Sequence, residues 1–379
     1  MRTLLIIVND PAFFISHRLP VAEGARDAGY EVHIASMNGS SVSEIREKGF
    51  VHHVLPLSRS GSNLLSEFYS LFSIWRLLWR IKPDLLHLVT IKPVLYGGIA
   101  ARLAPVKGVV AAVSGLGFVF LSKGLKGTIL RKVVSFFYRI ALAKKNLRVI
   151  FQNPDDCSLL VRAGAVDLLK VEMIRGSGVN LINYAFLPEP RGDRLVVCLA
   201  ARLLRDKGVL EFVEAARLLR GRGVSARFQL VGNIDPGNPA SITDAEMSEW
   251  SEEGVVELLG YRTDIAKVFA DANIVALPSY REGLPKVLVE AAACGRAVVT
   301  TDVPGCREAI DRDVTGVLVP VCDAVALADA LQLLVNDSAL RLQMGAAGRQ
   351  LAENEFAIEK IVQQHLNIYL KLERAFDRG

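Results

Sequence analysis

The chain has 379 residues, of which 51% are hydrophobic and 22% charged, a composition that excludes disordered, collagen-like and low-complexity proteins. Because a domain typically has ~100–200 residues, this length predicts two domains. The net charge of +5 is uneven, since residues 1–190 carry 23 Lys and Arg against 13 Asp and Glu, whereas the remainder carries 22 against 27. A basic half suits nucleic acid, anionic lipid or a phosphorylated substrate, and charge alone does not choose among them.

The N-terminal segment predicts a buried first strand. Its apolar run ends at Asn9-Asp10-Pro11 without the features of a signal peptide. No run of ~18 uncharged apolar residues follows, so a membrane-spanning helix is not expected, while attachment to a membrane surface stays open. The five cysteines are widely spaced and form no C-x-x-C pair, which argues against a zinc site or a disulfide framework and fits a reducing cytosol.

Short apolar runs alternate with longer amphipathic stretches along most of the chain. The predicted strands are 3–8, 31–36, 51–55, 84–88, 108–113, 147–151, 170–174, 195–200, 226–231, 255–259, 273–277 and 297–301. A linker rich in Gly, Pro and Asn interrupts them at about 176–194, and the chain ends with predicted helices near 323–335, 338–353 and 357–373. Continuous apolar strands that alternate with helices predict an α/β fold of two doubly wound, Rossmann-like domains. Ligands of such folds bind at the carboxyl ends of the strands, here in a cleft between the two sheets.

The strongest local motif follows the strand that ends at Leu277-Pro278. It contains Glu282 and Glu290, seven residues apart, with Pro285 predicted as the first residue of a helix between them. A helix N-terminus at the carboxyl end of a strand favours a phosphate, and the two carboxylates can contact different parts of one extended ligand. The alternative is a capped helix with a solvated Glu at its start.

A second basic element follows the first strand of the second predicted domain. Arg202 closes that strand and Lys207 begins the next helix, so both side chains can neutralise a diphosphate. The alternative is a solvated turn, which is the interpretation favoured for Arg205.

Several motifs follow one another in order between residues 195 and 320. They are Ala201-Arg202, Lys207-Gly208, Val231-Gly232, Gly260-Tyr261-Arg262, Asp264-Ile265, Pro278-Ser279, Glu282-Gly283 and Glu290-Ala291. Together they resemble the retaining, nucleotide-sugar-dependent glycosyltransferases of family four, which have the GT-B fold and carry the Glu-x7-Glu spacing.

The resemblance implies a role for each matching residue. Glu282 would contact hydroxyls of the transferred sugar, Glu290 would bind the ribose, and Arg202 and Lys207 would stabilise charge on the leaving diphosphate, a preorganised electrostatic role. Glu282, Arg202 and Lys207 are therefore the candidate catalytic residues. The remaining donor-binding candidates are Gly232, Tyr261, Arg262, Gly283, Leu284, Pro285, Lys286 and Val287.

The same resemblance implies the division of the chain. The expected domains are an acceptor-binding domain, 1–178, completed by a C-terminal helix that crosses back onto it at 357–379, and a nucleotide-sugar-binding domain, 192–356.

The N-terminal half resembles a narrower group. Residues 9–18 and the segment Gly115-Leu116-Gly117-Phe118-Val119-Phe120 resemble bacterial transferases that extend a sugar on undecaprenyl diphosphate, including the N-acetylgalactosaminyltransferases of the bacillosamine pathway. We expect Ser16 to cap a helix and to place His17 and Arg18 at the cleft. The acceptor-side candidates are His17, Arg18, His87, Lys92, Gly115 and Gly117, with His87 predicted at the end of a strand.

The sequence departs from the family at two places. The turn after the first strand lacks the Gly-Gly loop of many members, and Phe118 stands where they often carry a His. No catalytic histidine is therefore assigned, and the expected mechanism uses no covalent nucleophile.

A basic helix is predicted over 123–148, a segment without an acidic residue. Its cations are Lys123, Lys126, Arg131, Lys132, Arg139, Lys144, Lys145 and Arg148, interleaved with Ile, Leu, Val and Phe at helical spacing. Such a helix can lie on an anionic bilayer, and residues 64–80 have a similar aromatic face. The alternative is that these apolar faces cover the sheet while the cations face water.

Other motifs do not indicate a metal site or a dinucleotide site. Asp311-Arg312-Asp313 imitates an Asp-x-Asp metal motif but is predicted in a turn, so no metal or other cofactor is expected. Neither Gly115-Leu116-Gly117 nor Gly176-Ser177-Gly178 completes a dinucleotide fingerprint, and no Walker A motif occurs.

The predicted partners are thus a UDP-sugar, a polyprenyl-diphosphate-linked saccharide and an anionic membrane surface on the cytoplasmic side, without nucleic acid. Two alternatives stay open: a nucleotide-sugar 2-epimerase or phosphorylase on the same fold, and a nonenzymatic basic binding module.

Overall fold

The computed structural model describes residues 1–58, 63–116 and 124–377, with side chains for all of these except 124–128. The chain forms two compact units. The first consists of residues 1–177 and 359–379, and the second of residues 178–358. The predicted linker from 178 onwards therefore belongs to the second unit.

The first unit contains a parallel sheet of seven strands in the order β3-β2-β1-β4-β5-β6-β7. The strands are β1 (Arg2–Val8), β2 (Tyr30–Ser36), β3 (Val51–Val54), β4 (Leu85–Val89), β5 (Gly108–Val113), β6 (Leu147–Phe151) and β7 (Val171–Met173). Every residue of β4 and of β5 is buried, as expected for central strands covered on both faces.

Helices cover both faces of this sheet. They are α1 (Pro11–His17), α2 (Leu19–Asp27), α3 (Val42–Glu47), α4 (Leu64–Ile81), α5 (Ile91–Ala101), α6 (Gly124–Ala141) and α7 (Pro154–Arg162). Helices α4 to α7 share one hydrophobic core with the sheet. The core on the other face includes α1, α2 and α3.

The second unit contains a parallel sheet of six strands in the order β10-β9-β8-β11-β12-β13. The strands are β8 (Leu195–Ala200), β9 (Ala226–Val231), β10 (Glu257–Gly260), β11 (Ile274–Leu277), β12 (Ala297–Thr301) and β13 (Gly316–Val319). The helices are α8 (Val209–Gly221), α9 (Asp244–Glu253), α10 (Ile265–Ala270), α11 (Lys286–Ala293), α12 (Ala324–Asn336) and α13 (Ser338–Leu351). Helices α8 and α12 pack on one face of the sheet, and α10 and α11 on the other.

The last helix, α14 (Ile358–Phe376), packs in the first unit. Its buried residues Ile361, Ile368, Tyr369 and Leu372 join the core that contains α1 and α2. A Cβ at Gly24 of α2 would lie 2.4 Å from a methyl of Val362 on α14, so the glycine allows these two helices to pack closely.

Two local predictions are wrong. Asp10, not Ser16, caps α1: its carboxylate accepts a hydrogen bond from the Ala12 amide at 2.8 Å, and Pro11 takes the first helical position. Ser16 lies in the last turn, where its hydroxyl donates to helix carbonyls instead. Asp-Pro supplies both the acceptor and the fixed φ that a helix start favours, and so α1 begins earlier than predicted.

The basic helix predicted over 123–148 is also wrong in its extent. Helix α6 ends at Ala141, and Arg148 lies in β6, which pairs with β5. Lys144 and Lys145 fall in the connecting loop. Residues Leu147–Phe151 form a strand because most of their side chains are buried in the core of the first unit.

Candidate active site

The candidate site lies at the point in the second sheet where the order of strand addition reverses. Strands β8 and β11 are neighbours, although β8 leads outward to β9 and β11 leads outward to β12. In open parallel sheets, ligands bind at the carboxyl ends of strands at such a switch point. Lys207 follows β8 and Glu282 follows β11, so the topology brings the two predicted segments together.

Lys207 and Glu282 form an ion pair. Lys207 Nζ donates to Glu282 Oε1 at 2.5 Å, and the two side chains are only 19% and 13% exposed. The Ser279 hydroxyl lies 2.8 Å from the same carboxylate oxygen. The alternative of a solvated Glu at a helix start is therefore wrong, because the Glu282 side chain is mostly buried in an ion pair at the carboxyl ends of the strands.

Two glycines permit the close backbone approaches around Glu282. A Cβ on Gly208, whose φ is 73°, would lie 2.1 Å from the Pro278 carbonyl oxygen. A Cβ on Gly305, with φ 85°, would lie 2.4 Å from the Glu282 carbonyl oxygen. The Glu282 amide also donates to the Pro304 carbonyl at 3.1 Å. Backbone contacts on both sides of the loop that contains Glu282 therefore fix its position.

Helix α11 begins at Lys286, with Pro285 as its N-cap, one residue later than predicted. Within the described residues no side chain caps this helix, so its first-turn amides are available to an anion. Glu290 is 6% exposed and accepts a hydrogen bond from Lys286. The Tyr184 hydroxyl also bonds Glu290, and burial together with that carboxylate raises the pKa of Tyr184.

The remaining donor-side candidates are held less closely to the ion pair. Leu284 is buried and Val287 is half-buried, and Gly283 lies in the loop beside Gly305. Arg202 is 56% exposed and donates to Asp235 Oδ2 at 2.9 Å.

Tyr261 and Arg262 follow the edge strand β10. Tyr261 is 71% exposed, and Arg262 donates two hydrogen bonds, of 2.7 and 2.6 Å, to Asp264. This pairing lowers the pKa of Asp264 to about 2. Gly232 follows β9 with φ 141°, and a Cβ there would lie 1.8 Å from the Ala201 carbonyl oxygen.

Asp206 is a site residue that the sequence analysis missed. Within the described residues its Oδ1 atom is buried without a hydrogen-bond partner. Burial is the main cause that raises the pKa of Asp206, with Lys207 opposing the shift and Glu282 adding to it. The sequence shows an acid beside Lys207, but the burial of its Oδ1 atom depends on the loop after β11, which hydrogen-bonds to the Asp206 carbonyl.

The acceptor-side candidates all lie in the first unit. His17 stacks on Phe13, with ring centroids 4.0 Å apart. Lys92 donates to Glu67 at 2.6 Å and to Ser58 at 3.1 Å. Gly115 follows β5 with φ 101°, whereas Gly117 and the rest of the predicted motif, 118–120, lie outside the described residues.

Arg18 and His87 are buried together. Arg18 is 1% exposed, its Nη1 donates to the His17 carbonyl at 2.9 Å, and burial lowers its pKa to about 10. The prediction of His87 at a strand end is wrong, because it is the central residue of β4. Its Nδ1 lies 2.7 Å from the Tyr369 hydroxyl of α14, and burial lowers its pKa.

The Asp-x-Asp sequence forms a turn, as predicted. Asp311, Arg312 and Asp313 precede β13, and Arg312 pairs with Asp302 at 2.7 Å. Across the described ranges, no group of three or more His, Cys, Asp or Glu side chains is arranged to hold a metal ion.

Known families match both halves of the chain. Glycosyl transferases group 1 match residues 194–337, and the glycosyl transferase 4-like family matches residues 4–153. The chain belongs to the glycosyltransferases. It is therefore an enzyme, and the alternative of a nonenzymatic basic binding module is wrong.

Two curated relatives match over most of their length. The N,N'-diacetylbacillosaminyl-diphospho-undecaprenol alpha-1,3-N-acetylgalactosaminyltransferase of Campylobacter jejuni is 28% identical, over 94% of this chain and 97% of that protein. The UDP-Gal:alpha-D-GlcNAc-diphosphoundecaprenol alpha-1,3-galactosyltransferase of Escherichia coli is also 28% identical, over 82% of this chain and 81% of that protein. The resemblance of the N-terminal half to this group is confirmed.

Solved structures agree on the fold. Sucrose-phosphate synthase from Thermosynechococcus elongatus matches with a TM-score of 0.82 and 20% identity, over 99% of this chain and 100% of that one. Anabaena HepE in complex with UDP and glucose matches with a TM-score of 0.77 and 18% identity, over 97% and 99%. The predicted GT-B fold of this glycosyltransferase is thereby confirmed.

Proposed function

We propose that this glycosyltransferase moves a hexose or N-acetylhexosamine from a UDP-sugar to a hydroxyl of a polyprenyl-diphosphate-linked saccharide, with retention. The observation that carries the proposal is the Lys207–Glu282 pair at the switch point of the second sheet. The two relatives described above act, by their names, on sugars linked to undecaprenyl diphosphate. One of them uses UDP-Gal, and HepE binds UDP.

The donor diphosphate binds between the cations and helix α11. Lys207 supplies an ammonium at the end of β8, Arg202 supplies a guanidinium, and the N-terminus of α11 supplies backbone amides. Glu282 contacts hydroxyls of the transferred sugar, and Glu290, inside α11, binds the ribose. The cations and the α11 amides stabilise the diphosphate without a metal ion, so the proposal includes none.

The reaction proceeds by departure of UDP from the face on which the acceptor enters. Lys207, Arg202 and the α11 amides stabilise the charge that develops on the leaving diphosphate, since fixed donors lower the barrier most where charge appears. The leaving phosphate takes the proton of the acceptor hydroxyl. No enzyme carboxylate forms a covalent bond in this scheme.

Replacing Glu282 tests the assignment. Glu282→Gln keeps the size of the side chain but removes the charge, and we expect transfer and acceptor-dependent UDP release to fall by about 10²-fold or more. Glu257→Gln is a matched control, because Glu257 also forms an ion pair, with Arg227, but stands at the amino end of β10. Equal activity of the two variants with a lipid-linked acceptor would show that the site is misassigned.

We also propose that the enzyme is attached peripherally to the inner face of the cytoplasmic membrane. Helices α4 and α6 flank α5 in one layer of the first unit, and each has an apolar stripe that the core does not cover. The exposed residues are Leu64, Leu65, Phe68, Tyr69, Phe72 and Trp79 on α4, and Ile129, Leu130, Val133, Phe136 and Phe137 on α6. The alternative in which these faces only cover the sheet leaves those residues unexplained.

The charge of this layer suits an anionic surface. Helix α6 contains no acidic residue, and the one acid of α4, Glu67, is neutralised by Lys92. In the described parts of the chain, no helix has the length and apolarity to cross a bilayer. Co-sedimentation with phosphatidylglycerol-containing vesicles, but not with pure phosphatidylcholine vesicles, is the expected result. Equal binding to both would contradict the basic-helix proposal.

A further inference from the structure

A cavity of about 380 Å³ opens between α6 and α7 in the first unit. That volume is within the range of small-molecule sites. Its lining includes three cations, one hydroxyl and two apolar side chains, namely Arg131, Lys132, Arg139, Ser135, Phe136 and Leu159. This cavity is separate from the residues assigned above to donor and acceptor.

The polar side of the cavity is suited to an anion. Lys132 is exposed and, within the described residues, forms no ion pair. Arg139 is held in place by hydrogen bonds from Nε to the Gly164 carbonyl at 2.9 Å and from Nη2 to the Ala163 carbonyl at 3.3 Å. These bonds also offset the negative end of α7, which would otherwise repel an anion. A fixed guanidinium and an ammonium that line the same cavity can both contact one phosphate.

The apolar side of the cavity suits a ligand that has an apolar part as well as an anion. Phe136 is 58% and Leu159 37% exposed at the rim. Phe136 continues the exposed apolar stripe of α6 that includes Ile129 and Val133. A ligand that contacts both sides of the cavity needs a phosphate attached to an apolar group. Phosphates and apolar groups occur together at the boundary of a bilayer, where amphipathic helices lie.

We propose that this cavity binds the phosphate headgroup of an anionic phospholipid. The headgroup contacts Lys132 and Arg139, while its acyl chains lie beside Phe136 and Leu159. The inference rests on the proposed membrane attachment and adds a defined lipid site to it. The bound lipid anchors the first unit and takes no part in sugar transfer.

Filling the cavity without changing its charge tests this site. Ser135→Gln adds a neutral polar side chain to the lining, whereas Ser135→Ala leaves the cavity open. We expect Ser135→Gln to lower partition onto phosphatidylglycerol/phosphatidylcholine vesicles by about fivefold or more, and Ser135→Ala to stay within about twofold of the parent. If both bind like the parent, charge spread along α6 is sufficient and the proposal is wrong.

A second pair of variants keeps the test decisive should Ser135→Gln fail to fold. Lys132→Ala removes a cation that lines the cavity, and Lys145→Ala removes one from the loop after α6. Loss of one contacting cation lowers partition by about fivefold, so we expect that loss for Lys132→Ala and a smaller one for Lys145→Ala. Equal losses would contradict a defined headgroup site.

Transfer to an acceptor dispersed in detergent separates this proposal from the proposed function. Ser135→Gln and Lys132→Ala are expected to keep parental activity there, because no vesicle has to be bound. If either loses activity in detergent, the cavity belongs to the acceptor site and the lipid proposal is overturned. If the parent transfers no sugar but its binding follows the pattern above, the proposed function fails while the lipid site stands.

Discussion

Lys207 and Glu282 are 75 residues apart in the chain, yet Lys207 Nζ lies 2.5 Å from Glu282 Oε1. The pair forms because β8 and β11 are neighbours at the switch point of the sheet. Without a ligand, each charge is satisfied by the other. In the proposed donor complex, the diphosphate would replace Glu282 as the anionic partner of Lys207, and Glu282 would exchange the ammonium for neutral sugar hydroxyls that donate hydrogen bonds to it.

Replacing Lys207 should slow the chemical step. We expect Lys207→Met to lower kcat for acceptor-dependent UDP release by about 10²-fold, because it removes a donor that the proposed mechanism directs at the leaving diphosphate. Arg205→Met is the control, since Arg205 lies in the same turn but pairs with Glu246 at 2.7 Å. Similar kcat values for the two variants would contradict the assigned role of Lys207.

Gly305 controls the position of Glu282 through the backbone. Gly305→Ala would place a Cβ 2.4 Å from the Glu282 carbonyl oxygen and strain a φ of 85°. Because a shift of ~1 Å in a positioning group can cost about 10²-fold in rate, we expect a loss of that order in kcat. Gly223→Ala is matched, with φ 74° but nothing within 4 Å of the added Cβ. If both variants keep parental kcat, the contact with Gly305 does not position Glu282.

The sequence predicts, for a physical reason, that the segments containing Lys207 and Glu282 lie at the same edge of the second sheet. The runs Leu195–Ala200 and Ile274–Leu277 are continuous and apolar, which indicates buried parallel strands and places the residues after them at one edge of a sheet. Gly316–Val319 is not among the predicted strands, because it is a short, half-buried strand at the edge of the sheet. The burial of Asp206 depends on a tertiary contact and could not be predicted from local patterns.

The surface of the first unit was harder to predict. Helical spacing alone does not distinguish an apolar stripe that packs on a sheet from one that stays exposed. Helix α4 has both, since Ile74 and Leu78 are fully buried while Phe68 is 74% exposed. The basic segment extends beyond the end of α6, because basic residues continue into the loop before the strand pattern resumes at Leu147.

Glu290 should affect donor binding more than the rate of transfer. Its carboxylate is buried and bonded by Lys286 and Tyr184. We expect Glu290→Gln to raise the KM for the UDP-sugar by about tenfold or more, as for loss of a hydrogen bond to a charged group, with a smaller change in kcat. Tyr184→Phe keeps the carboxylate and should raise KM less. A selective loss of kcat in Glu290→Gln would assign Glu290 to the chemical step instead of the ribose.

The buried histidines of the first unit should make its stability depend on pH. His365 is fully buried, with Nδ1 2.8 Å from the Ile361 carbonyl oxygen and Nε2 without a partner in the described residues. Burial, with Arg18 adding to the effect, lowers the pKa of His365 to about 3. An unfolded histidine titrates near ~6.5, so below that pH the unfolded chain binds a proton that the folded unit does not. The stabilisation is therefore present above pH ~6.5 and is lost as the pH falls towards 3, by about 1.4 kcal/mol per pH unit.

His365→Leu isolates this contribution. Trp75 and Trp79 lie in the first unit, so their fluorescence in a Trp250→Phe background follows the unfolding of that unit. Between pH 6.5 and 5 we expect the free energy of unfolding of the parent to fall by about 2 kcal/mol more than that of His365→Leu. A constant offset between the two proteins at every pH would mean that His365 contributes packing but is not neutral in the folded unit. His87 remains in both proteins and should keep part of the acid sensitivity, because burial lowers its pKa as well.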